Sequence, residues 1–149
     1  MKKWILSLLA CGYAFVSNAA DAEKKHDLEW LTDLPAAQAK AKEQNKRMML
    51  DFTGSDWCGW CIRLHKEVFS KQEFADYAAK NLVLVEVDFP RQKKLSPAQK
   101  KANDALSDKY NIEGFPTILV LNKDGKLLGK TGYTPGGPKA FVAELEKLK

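Results

Sequence analysis

Two segments constrain the fold more than any others: MMLDFT at residues 48–53 and LVLVEVD at residues 82–88. Both read as buried strands, one carrying a single acid, Asp51, the other strongly β-branched. Helical stretches surround them. Leu34-Pro35 opens one, with proline in the first turn where its missing N–H costs nothing, and Asn45 closes it. Cys61, Leu64 and Val68 fall on one face of a second. Ser70-Lys71-Gln72-Glu73 and Ser96-Pro97-Ala98-Gln99 both fit a capping box and predict two further helix starts. Residues 28–31 predict a short first strand. Residues 117–121 and 126–130 flank Asn122-Lys123-Asp124-Gly125, a hairpin signal. Phe141, Val142, Leu145 and Leu148 form a closing apolar stripe at helical spacing. The order β-α-β-α-α-β-α-β-β-α predicts an α/β fold, a central mixed sheet with helices on both faces.

The 149 residues amount to one domain, and 45% hydrophobic residues suffice for one core. The first segment stands apart from it. Lys2 and Lys3 precede a mostly apolar run at residues 4–16, then small residues, the pattern of a signal peptide at 1–20 with cleavage near 19–22. Residues 21–27 read as a flexible lead-in and 28–149 as the domain. The expected location is therefore outside the cytoplasm, periplasmic or extracellular. Leu8-Leu9-Ala10-Cys11 resembles a lipoprotein box, which leaves a lipid anchor through Cys11 as the minor alternative. Beyond the signal no stretch is long and apolar enough to span a membrane.

Loss of Lys2 and Lys3 lowers the formal charge from +5 to +3. The remaining cations are scattered, with no dense basic stripe or stacking groups for nucleic acid, so that class of partner is excluded. No stripe remains beyond those the fold needs, which makes a monomer the default.

Two cysteines then remain, Cys58 and Cys61, where a strand feeds a helix; reaction sites gather at the carboxyl ends of such strands. Three readings compete. A structural zinc site wants four ligands, and only His26 and His65 are on offer, so no metal is expected. A structural staple would close too small a loop to restrict the unfolded chain. A redox pair has a mechanism: at a helix N-terminus unpaired N–H groups and the macrodipole favour thiolate, so Cys58 attacks. Cys61, one turn further and more buried, resolves the mixed disulfide. No dissociable cofactor is needed.

TGSDWCGWC followed by Gly114-Phe115-Pro116-Thr117 resembles the thioredoxin superfamily, particularly its exported thioredoxin-like thiol–disulfide oxidoreductases, over nearly the whole domain. The resemblance implies a thioredoxin-like fold with a cis Phe115–Pro116 bond beside the cysteines. It implies protein disulfides or thiols as substrates and a protein redox partner, a membrane electron donor among the candidates. Trp57, Gly59, Trp60, Phe115 and Pro116 become the expected docking rim, and Asp51 the expected proton acceptor for Cys61. The chain departs from the family pattern in three places. The dipeptide between the cysteines is Gly59-Trp60, the link from Asp51 to the motif is one residue longer, and Glu86 replaces the lysine that often faces the acid. Arg63 and His65 read as surface or groove residues, and residues 89–95 as an insertion that shapes partner choice. The Trp-Cys-Gly start and the strand acid lean toward a reductase. A hypothesis of another class keeps the same fold as a protein-binding module, holding a partner through Trp57, Trp60 and Phe115 with idle cysteines.

Overall fold

In the computed structural model, residues 27–148 are described; the signal segment, Cys11, most of the lead-in and His26 lie outside them. Strand β2, Arg47–Thr53, and strand β3, Leu82–Asp88, pair in parallel through their full length, Arg47 opposite Leu82 and Thr53 opposite Asp88. A two-residue strand β1, Trp30–Leu31, adds to the outer side of β3. Strand β4, Thr117–Leu121, runs antiparallel beside β2, and β5, Leu127–Thr131, antiparallel beside β4. The order β1-β3-β2-β4-β5 makes one mixed five-stranded sheet, the expected α/β architecture.

Strand alternation sorts the core into two layers. Met48, Leu50 and Phe52 of β2 face helix α1, Leu34–Gln44, where Ala37 and Ala41 are fully buried; small side chains let the helix lie close. Helix α4, Pro97–Lys109, covers the same face through Leu106. The opposite face carries Met49, Leu84, Ile118 and Val120. Against it pack α2, Gly59–Leu64, the π-helical turn His65–Phe69, α3, Gln72–Asn81, and α5, Gly137–Lys147. The wide π turn brings Val68 and its neighbour Phe69 into the core together. Phe69 meets Phe74 and Phe141 at ring distances of 5.0 and 5.7 Å.

Local signals mostly act as read. Asn45 ends α1 in the left-handed conformation, φ 53°. The Asn122 side chain accepts the N–H groups of Asp124 and Lys126, and Gly125 takes φ +88°, which tightens the hairpin. Ser96 accepts the N–H of Gln99 at 3.1 Å. That box is half closed, because the Gln99 amide donates to the Thr32 carbonyl and Asn103 instead. Ser70 corrects the reading: it does not cap α3. The π turn runs up to it, so its N–H bonds His65 and its hydroxyl donates to the Lys66 carbonyl. The α3 cap position is Lys71, without a side-chain bond.

Candidate active site

The link between β2 and α2 is a tight turn in which Trp57 and Cys58 both donate backbone N–H groups to the Gly54 carbonyl. A Cβ at Gly54 would stand 2.5 Å from the Trp57 indole, so only glycine fits. The longer link supplies anchors. Ser55 donates its N–H and hydroxyl to Asp88 at 2.9 and 2.6 Å. Asp56 accepts the backbone N–H groups of Arg91, Gln92 and Lys93, and these bonds hold its carboxyl below the usual range. The 89–95 loop is thereby tied to the cysteine turn. With Asp56→Ala, amide hydrogen exchange at Arg91, Gln92 and Lys93 is expected to rise by about tenfold or more, because all three donors lose their acceptor. Unchanged protection would refute this anchoring.

Cys58 and Cys61 are joined in a disulfide with Cα atoms 5.2 Å apart. Cys58 is the residue that caps α2, and its sulfur accepts the Cys61 N–H at 3.2 Å. Exposure is 7% for Cys58 and 4% for Cys61, in the expected direction but by a narrow margin. Gly59, between them, is exposed and a Cβ there would meet nothing.

Asp51 sits on the sheet face that α2 covers, directly opposite Glu86 on β3. It is 7% exposed, and one carboxylate oxygen has no hydrogen-bond partner among the described residues. Burial pushes its pKa up to about 8, with Glu86 and then Asp88 adding to the effect. Half-buried Glu86 is raised too, by burial first and Asp88 second, while Lys93 and His65 oppose the shift. Lys93 pairs with Asp88 at 3.1 Å. A cation therefore reaches this acidic group from the 89–95 loop, through Asp88. Among the described residues no group of three or more His, Cys, Asp or Glu side chains gathers in metal-holding fashion.

The Phe115–Pro116 peptide bond is cis, and the Thr117 hydroxyl ties its loop to the Gly114 carbonyl at 2.7 Å. Trp60 is 55% exposed, its ring 5.2 Å from Tyr133. With Arg63, Phe115, Pro116 and Pro135 these two rings line an open groove of about 510 Å³. Trp57 does not line it. Its indole donates to the Phe89 carbonyl at 2.8 Å and meets Phe115 edge-on at 6.0 Å, while Phe89 stacks on Phe115 at 5.1 Å. The sequence-predicted rim thus splits into an open groove wall and a buttress behind it.

Sequence reasoning missed Tyr133, Pro135, Asp56 and Asp88. A signal for the first two existed: TGYTPGG before the last helix is a glycine-rich turn around one aromatic. A Cβ at Gly132 would approach the Pro116 carbonyl to 3.2 Å, so glycine lets this turn close on the groove.

The sequence pattern of the thioredoxin-like domain family matches residues 34–149. The disulfide bond reductase DsbH of Chlamydia pneumoniae is 35% identical over 120 residues, which cover 80% of this chain and 72% of that protein. The thioredoxin-related protein DsbJ of the same organism is 27% identical; 87% of this chain aligns with only 39% of its length. A solved structure of a DsbH oxidoreductase superposes with a TM-score of 0.79 at 32% identity, covering 93% of this chain and 94% of that one. The chain belongs to the family of thioredoxin-like domains and is, with its Cys58–Cys61 pair, a thiol–disulfide oxidoreductase.

Proposed function

We propose that the protein is an exported reductase of protein disulfides, with Cys58 as nucleophile, Cys61 as resolving thiol and Asp51 as proton acceptor. The observation that carries this reading is the helix-capping Cys58, whose sulfur receives the Cys61 N–H, with Trp60 between the two cysteines lining one groove with the cis Pro116. A thiolate at that position gains from the same N–H group and from the helix dipole. The Cys58 thiolate attacks one sulfur of a substrate disulfide and expels the other as thiolate. The Cys61 thiol then loses its proton toward Asp51, attacks the Cys58 sulfur, and releases the second substrate thiolate. Two electrons pass to the substrate, its two thiolates take up two protons, and the pair closes to the disulfide. A carboxyl titrating at about 8 exchanges protons in the same range as a thiol, which suits it to this role.

A protein donor, with a membrane protein as one candidate, restores the dithiol. Among the described residues no helix is long and apolar enough to cross a membrane. Reduction rather than oxidation is supported by the similarity to the disulfide bond reductase DsbH. Export rests on Lys2, Lys3 and the apolar run that follows, and monomeric action on the absence of a spare apolar stripe in the sequence.

Equilibration with glutathione tests the direction. A reductase is expected near thioredoxin's potential of about −270 mV, and a value near −120 mV would overturn the assignment. Cys61→Ala expressed in an exporting host should retain substrates as mixed disulfides on Cys58. Recovery of the mature chain by mass tests the processing site.

A further inference from the structure

Each tryptophan of the WCGWC motif carries an arginine on its ring. The Arg63 guanidinium lies 5.5 Å from the Trp60 centroid and 5.4 Å from that of Tyr133. The Arg91 guanidinium, from the insertion, lies 3.8 Å from the centroid of Trp57. Such contacts hold a cation over an aromatic face while leaving its outer edge to solvent. The tryptophans immediately precede Cys58 and Cys61, and both aromatic groups adjoin Phe115, by ring contact or across the groove.

Three acids near these arginines are already engaged. Asp56 spends its carboxylate on three backbone N–H groups of the insertion. Glu67 accepts from the Tyr133 hydroxyl at 2.7 Å and from Arg63 at 2.7 Å, and these bonds, Tyr133 first, lower its pKa. Asp88 is buried under Ser55 and Lys93. Arg63 is therefore partly compensated by Glu67, whereas Arg91 makes no ion pair among the described residues. Lys93 and Lys94 follow it in the sequence, and Asp56 fixes the backbone that displays this basic loop.

We propose that this rim selects a protein substrate whose reactive cysteine is flanked by acidic residues, with Arg91 as the main specificity determinant and Arg63 as the second. The inference rests on the oxidoreductase reading and adds the chemistry of the partner. The groove supplies apolar contact to any extended chain. The arginines distinguish one chain from another by charge, which acts chiefly on encounter and register.

The test uses three disulfide peptides that differ only in the residues beside cysteine: glutamate, alanine or lysine. Reaction rates with the reduced wild-type protein are divided by those with dithiothreitol, which removes the peptides' own reactivity. The expected Glu/Lys ratio is about fivefold at low salt, falling toward unity near ~1 M salt, where the screening length is about 3 Å. Arg91→Glu is expected to bring the ratio to one or below, and Arg91→Gln to an intermediate value. Because each ratio is taken within one variant, a partial loss of folded protein cancels. A wild-type ratio at or below one, or a ratio that neither Arg91 variant changes, overturns the inference while reaction with the alanine peptide upholds thiol exchange. Failure of all three peptides to react with wild type overturns both.

Discussion

Cys58→Ser is expected to reduce disulfide exchange by about 10³-fold or more, to the level of the added dithiol alone, in an insulin-reduction assay. The reason is chemical. A serine hydroxyl at the same helix cap is not ionised at neutral pH, and no described neighbour stands ready as a strong base for it. The structure offers no substitute: among the described residues the only other cysteine is Cys61, 4% exposed and one helical turn in. Cys61→Ala should behave differently. It keeps the attacking sulfur, so a single exchange with an activated disulfide proceeds and the mixed disulfide accumulates. A first step kept by Cys58→Ser and lost in Cys61→Ala would show that Cys58 is not the nucleophile. Undiminished turnover by Cys58→Ser would overturn the assignment of the nucleophile, whereas failure of the wild type to turn over any dithiol or disulfide would favour the protein-binding module.

Asp51→Asn is expected to stabilise the oxidised protein at pH 7 by on the order of 2–4 kcal/mol. The carboxyl titrates at about 8 in the folded chain, raised by burial, Glu86 and Asp88. Its unfolded value is about 4. Between those limits the unfolded chain holds the charge and the folded chain holds the proton. Unfolding therefore releases a proton, and stability contributed by this site falls as pH rises from about 4 to about 8, then levels off. Asparagine does not titrate, so the slope should vanish with the substitution. Urea midpoints of the two oxidised proteins at pH 5, 7 and 9 measure it, and parallel profiles would refute the account. At pH 8 to 9, where a large fraction of the folded carboxyl is ionised, the same variant should lengthen the lifetime of a mixed disulfide on Cys58 by about tenfold or more, since the proton of Cys61 loses its acceptor. A stabilised variant with an unchanged lifetime would leave Asp51 as a structural acid only.

These effects come from different kinds of information. The Cys58–Cys61 pair, the strand ahead of it and the Phe115–Pro116 loop were readable because each is local: a spacing, a β-branched run, a short motif. Strand β3 appears at the expected residues, and β2 starts one residue early, at Arg47. Helix α5 buries Phe141 and Leu145 as the stripe requires. Ser70 misled because the capping pattern is also compatible with ending the previous helix, and the π turn takes up its hydroxyl first. Asp56 and Asp88 could not be assigned from spacing. Asp56 grips N–H groups 35 to 37 positions away, and Asp88 accepts from Ser55 across 33. Such partners meet only after β2 and β3 have paired.

The rim shows the same division. Trp57 and Trp60 look equivalent in WCGWC, one before each cysteine. The helix start separates them: Trp60 stands in solvent against Tyr133, while Trp57 turns under the insertion and donates to Phe89. By itself the sequence determined the mixed sheet, its covering layers and the place of the cysteine pair at a helix start, because hydrophobic period and motif spacing act over a few residues. Tertiary structure alone decided which acids surround Asp51, which cation answers them and which aromatic faces the groove. Those depend on strand register and loop closure, which bring together side chains that no local pattern relates.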